Sequence, residues 1–128
     1  MIKREAKLQT QFTSFLKQKK LQGYYELKHS TTDAILFSSV EPHQVQALLN
    51  ASLHGLVWKI SDSDPRTKPF DCFCAPPMRS YVVIRFKSGV VAVGVDEFIA
   101  EKITSGEKKL TYEKAKQISS FSIKFKNV

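Results

Sequence analysis

Apolar residues recur along this chain with two different periods, and the switches between them mark out its elements. Leu8, Phe12, Phe15 and Leu16 stand at i, i+4, i+7 and i+8, one stripe of an amphipathic helix. Lys3, Lys7, Lys17, Lys19 and Lys20 fall mostly on its other faces or at its end, while Glu5 sits on the edge of the stripe. A carboxylate there is costly unless a cation meets it, or unless water and the helix dipole accommodate it in the first turn. After Gly23 the period becomes two. Tyr24-Tyr25-Glu26-Leu27-Lys28 predicts a strand on which Glu26 and Lys28 share one face.

His29 to Asp33 is a polar loop, and Ala34 to Val40 is a short apolar stretch of no definite form. Glu41-Pro42 predicts a helix start with proline in the first position. Val45, Leu48, Leu49 and Leu53 carry that helix's stripe, and Gly55 ends it. Gln44 falls in the first turn beside the stripe, where an amide commonly caps the helix or faces water. Leu56 to Ile60 predicts a second strand. With the Glu26 strand and the helix between them it makes a β-α-β unit, whose two strands would be parallel. The polar run from Ser61 to Pro69 is a long loop. Asp62 and Asp64 in it are read as turn formers bonding nearby amides rather than as metal ligands.

Phe70 to Cys74 alternates again, with Asp71 and Phe73 on one face and Cys72 and Cys74 on the other. Tyr81 to Phe86, β-branched and aromatic, predicts a central strand. Lys87-Ser88-Gly89 turns the chain into Val90 to Val95, and these three segments predict an antiparallel meander. Asp96 is expected to cap a short helix bearing Phe98, Ile99 and Ile103, broken at Thr104-Ser105-Gly106. Thr111 is expected to cap another bearing Tyr112, Ala115 and Ile118. Phe121 to Lys126 alternates as an edge strand with its lysines outward. The fold class expected is therefore α/β or α+β, a single domain with a mixed sheet of about five strands flanked by helices. Its core would span about residues 1–95, with C-terminal helices and an edge strand over 96–128.

Charge sharpens this picture. Twenty Lys and Arg against twelve Asp and Glu give +8 over 128 residues, which points to a polyanionic partner. Nucleic acid is the first candidate and an anionic membrane surface the second. No apolar run approaches the ~18 residues of a membrane span, and the N-terminus lacks the apolar core of a signal peptide. Cys72 and Cys74 form neither a CxxC motif nor a zinc half-site, so they are expected to be reduced packing residues of a cytoplasmic protein. No glycine-rich phosphate loop, HExxH or G-x-S-x-G is present.

A carboxylate and an ammonium side by side at a strand end can hold a divalent cation and steer the water it activates. An isolated E-x-K is more often a surface ion pair, and Glu107-Lys108-Lys109 repeats the pattern in a polar stretch. The order of a helix with Glu5, a strand with Glu26-x-Lys28, a helix with Gln44, a strand, and Pro69-Phe70-Asp71 gives the first copy its context. Over about residues 5–86 it resembles the PD-(D/E)XK nuclease superfamily, above all the Holliday junction resolvase-like nucleases of archaea and phages.

The resemblance implies a restriction-endonuclease-like core and a magnesium- or manganese-dependent DNA endonuclease, selective for DNA structure. It implies work in phage or bacterial recombination or DNA processing, on branched or duplex DNA, by a possible homodimer in the cytoplasm. Glu26 and Asp71 would bind metal with Glu5, Lys28 would position water or stabilise the phosphate, and Gln44 would orient a water or the substrate. Lys3, Lys7, Lys17, Lys19, Lys20, Arg66, Lys68, Arg79 and Lys87 would form the phosphate footprint. In the family the Asp strand precedes the E-x-K strand, whereas here Asp71 follows Glu26. The motif order is permuted, and the Asp71 hairpin is expected to pair beside the Glu26 strand. Two other readings of the same features are a non-catalytic nucleic-acid-binding module on this scaffold and a basic protein–protein adaptor.

Overall fold

The structure, a computed structural model, describes residues 2–19, 22–59 and 71–124, and the side chains of these except 2–5, 18 and 59. The first apolar stripe forms α1 (Ile2–Lys19), which buries Leu8 and Phe12. β1 (Tyr24–His29) follows Gly23 as the change of period predicts. The stretch without definite form becomes β2 (Ala34–Leu36) and a 3-10 turn over Phe37–Ser39, with Phe37 and Val40 buried. α2 (Pro42–His54) starts and stops where its signals lie, with Glu41 as N-cap, Pro42 first, and Gly55 at the C-cap with φ of 75°. β3 (Leu56–Lys59), β4 (Cys72–Ala75), β5 (Ser80–Arg85) and β6 (Val90–Gly94) come next.

α3 (Val95–Ser105) has Gly94 as its N-cap, so Asp96 is not the cap expected. It joins Glu97 in the first turn, where carboxylates oppose the positive end of the helix dipole. Gly106 ends α3 in the left-handed region at φ 68°. β7 (Lys109–Thr111) was not foreseen as a strand. α4 (Tyr112–Ile118) is capped as expected, the Thr111 hydroxyl accepting from the Lys114 N–H, and β8 (Phe121–Ile123) follows.

The chain is an α+β domain with a mixed sheet flanked by helices, the class the sequence pattern predicts. The sheet has four strands among the described residues rather than about five, in the order β1-β5-β6-β8. β1 runs parallel to β5, with Tyr24 beside Ser80 and Glu26 beside Val82. β5–β6 and β6–β8 are antiparallel, and β2–β7 and β3–β4 stand apart as two-stranded ribbons.

Two expected pairings are thereby overturned. β1 does not pair with β3, and β4 does not join a meander with β5. Burial accounts for both. Val82, Val83 and Ile84 of β5 are wholly buried on the two faces of the sheet, whereas Leu56, Val57, Trp58 and Phe73 are exposed. Only the first set gives β1 a neighbour able to close a core.

That core has two layers. Val82, Ile84, Val91 and Val93 pack with Leu48 of α2, Phe98 of α3, Leu110 and Ala115. On the other face Val83, Val90, Ala92 and Ile123 pack with Phe12 of α1. Each such aliphatic side chain contributes about 1.5–3 kcal/mol by leaving water. Phe98, Leu110, Ala115 and Ile123 are core residues, so the core extends well past residue 95. Rings continue the second layer: Phe12 meets Tyr25 edge-on at 4.8 Å, and Tyr25 stacks on Tyr81 at 5.4 Å. Burial, and then the neighbouring Tyr81, raises the Tyr25 phenol above its ordinary value.

Candidate active site

Alternation along β1 sorts its side chains between the two layers. Tyr25 and Leu27 pack under α1, so Glu26 and Lys28 point to the opposite face, beside Val82 and Ile84 and on the α2 side. Their charged ends meet at 3.8 Å with both side chains mostly covered, 29% exposed for Glu26 and 18% for Lys28. An aliphatic core lies on one side of this pair. Because β1 ends the strand order, no described strand lies on the other.

A cleft of 910 Å³ runs along this open edge. Glu26, Lys28 and Gln44 line it together with Gln9, Thr10, Thr13 and Lys17 of α1. Two anchors hold α1 in place. The Arg85 guanidinium donates to Gln11 Oε1 at 2.6 Å, and the Phe12–Tyr25 ring contact clamps the helix to the sheet. The Thr10 and Thr13 hydroxyls donate back to the carbonyls of Ala6 and Gln9.

Gln44 takes the capping role and also borders the cleft. Its Oε1 accepts from the Glu41 N–H at 3.0 Å, completing a capping box. α2 is held to β5 by a buried hydroxyl relay. Ser52 Oγ donates to Ser80 Oγ, and Ser80 Oγ donates to the Leu48 carbonyl, each at 2.7 Å.

The expected companion of Glu26 is placed differently. Asp71 immediately precedes β4, which pairs with β3 alone, so the Asp71 strand does not lie beside β1. The ribbon meets β1 at the far end of β4, where the Tyr24 hydroxyl donates to the Pro76 carbonyl at 2.7 Å. Asp71 is four residues from Ala75, about 13 Å at strand rise. The permuted pairing failed because the ribbon strands satisfy each other's backbone, with Lys59 opposite Cys72 and Leu56 opposite Ala75. Among the described residues no three His, Cys, Asp or Glu side chains cluster to hold a metal ion. The Glu5 side chain, Lys3, Lys20, Arg66 and Lys68 lie outside the described side chains, as do Asp62 and Asp64.

Of the remaining basic candidates, Lys7, Lys17 and Lys19 are exposed on α1. Arg79 is engaged, 3.0 Å from Glu97 and over the Tyr81 ring. Lys87 sits at the opposite end of β5, in the turn to β6. There the Ser88 hydroxyl and N–H donate to the Asp33 carboxylate at 2.6 and 2.8 Å. These bonds, with Lys87 nearby, hold Asp33 below the ordinary carboxylate range. Cys72 and Cys74 are free and exposed, not the packing residues expected. The α1 wall was missed in the sequence although its signal was there, since Gln9, Thr10 and Thr13 follow helical spacing on the polar side of the apolar stripe.

Compared with known proteins, the chain matches no family model, no curated protein and no solved structure. Among the described residues no helix is long and apolar enough to cross a membrane.

Proposed function

We propose that this chain hydrolyses phosphodiester bonds in DNA with the help of magnesium or manganese, as a structure-selective endonuclease of the PD-(D/E)XK type. The observation that supports this most is the half-buried Glu26–Lys28 pair on an open sheet edge, facing a cleft large enough for a nucleotide strand. A purely structural ion pair gains little at the surface, and this one lies in a concavity lined by further polar groups.

The donor set fits a magnesium ion in its minimal form, because that ion is commonly held by one or two carboxylates with waters and substrate phosphates completing the shell. Glu26 is the carboxylate that would hold it, and the bound ion would supply a more acidic water and offset charge on the scissile phosphate. Lys28, beside that carboxylate, would offset charge growing on the phosphate oxygens. Gln44 donates from its NH2 group to a phosphate oxygen or water while its Oε1 stays in the capping box. Lys17 holds the strand in the cleft, and the exposed α1 lysines steer DNA toward it. Each phosphate neutralised steepens the salt dependence of duplex binding by about 0.9 in log–log slope.

The test is Glu26→Ala in a cleavage assay on branched and duplex DNA with magnesium, with binding measured in calcium. We expect cleavage to fall at least ~100-fold, the lower range for losing a charge-stabilising group, with binding nearly unchanged. Full activity in this variant would sink the reading. Asp71→Ala and Glu5→Gln in the same assay decide which carboxylate completes the set. The separation of the Asp71 strand from β1 favours, as second reading, a non-catalytic nucleic-acid-binding module. Steep salt-dependent binding without magnesium-dependent nicking would select it.

A further inference from the structure

The β3–β4 ribbon carries large apolar side chains that the core does not use. In an antiparallel pair, residues directly opposite share a face, so Trp58 and Phe73 stand side by side. They are 59% and 44% exposed, and neither belongs to the core clusters of the described residues.

We propose that the Trp58–Phe73 face is a stacking platform for unpaired nucleobases. This rests on the nucleic-acid side of the reading above, though not on catalysis. Three features select bases over a protein partner. Both side chains present planar rings, and flat π-faces take any base without regard to sequence. Strands of four residues make a face about 13 Å long, suited to one or two bases and far below the ~800 Å² per partner of a stable protein interface. The chain carries +8, which favours a polyanionic partner whose phosphates accompany the bases. The platform selects DNA in which bases are exposed, such as flaps, gaps and branch points, over a blunt duplex.

Trp58 is the only tryptophan, so its emission reports on the face directly. The experiment titrates the whole protein, in calcium at low salt, with oligo-dT and with a blunt duplex of equal length. Oligo-dT is expected to quench Trp58 and the duplex to leave it nearly unchanged. Phe73→Ala should weaken oligo-dT binding about tenfold, within the range for losing one stacking ring, while duplex affinity holds and Phe73→Tyr restores binding. Circular dichroism of each variant confirms the fold.

Oligo-dT binding with no change in Trp58 emission, or duplex binding without oligo-dT binding, would overturn the platform and leave the nuclease reading standing. Absence of all DNA binding would overturn both. A Trp58 emission shift that follows protein concentration without DNA would assign the face to a second copy of the chain and overturn the proposal. Repeating the titration with Glu26→Ala separates the two sites, since quenching should persist where cleavage is lost.

Discussion

β5 and the β3–β4 ribbon are alike as text and opposite as structure. Tyr81-Val82-Val83-Ile84 and Leu56-Val57-Trp58 are both apolar, β-prone runs. The first is buried on both faces, with Val82, Val83 and Ile84 at 0% exposure, while Val57 is 71% exposed. What differs is the neighbours. β5 lies between β1 and β6, with helices on both sides, whereas β3 has only β4. Apolar character in β5 is therefore a matter of stability, and in the ribbon it is free to serve recognition.

The sharpest way to break this comparison is to delete methyl groups in each region. Ile84→Ala should cost about 2–5 kcal/mol in chemical denaturation, because it leaves a cavity between the α2–α3 layer and the sheet. Val57→Ala should stay within about 0.5 kcal/mol, as for other surface changes. Equal losses would show that the ribbon is part of the cooperative core. Next in size is Gly55→Ala, at the joint between α2 and the ribbon. Gly55 has φ of 75°, and a Cβ there would run into the Ala75 carbonyl and the Pro76–Pro77 backbone. A loss of about 1–3 kcal/mol is expected, together with a change in Trp58 emission as the ribbon reseats. An unchanged emission spectrum would mean that the ribbon is placed without this joint.

The smallest effect concerns acid. Asp33 is depressed by its bonds from Ser88, so it favours the folded state when ionised. That contribution is complete above the ordinary carboxylate value, about pH 4, and is lost as pH falls through the lower folded value. Asp33→Asn should lower stability slightly at neutral pH, where this contribution is complete, and the two proteins should converge as pH falls through the folded value, flattening this part of the acid limb. An identical acid limb in both proteins would refute the assignment.

How much of this was legible beforehand follows from range. α1, α2 and the β5–β6 hairpin were readable because caps, turns and periods are written within a few residues. So was the juxtaposition of Glu26 and Lys28, which needs only that a strand alternate. The partner of β1 was not readable. β3 offers as plausible an apolar run as β5, and the choice depends on which one helices from distant parts of the chain can cover. Asp71 was misplaced for the same reason, since its position follows from the pairing of β4 with β3. Asp96 was misjudged by a smaller margin. Gly94, extended at φ −56° and ψ 143°, takes the cap two residues earlier.

The parallel pairing of Tyr24 with Ser80 closes a loop of 56 positions, and the ribbon lies wholly inside it. Loop-closure entropy grows only with the logarithm of length, about 0.6 kcal/mol for each doubling. Insertions or deletions at the ribbon tip therefore leave the register of β1 on β5 almost untouched. Descendants of this chain can exchange the ribbon for a longer, shorter or chemically different one while Glu26 and Lys28 keep their seat, so the ribbon can diversify faster than the part that holds the charged pair.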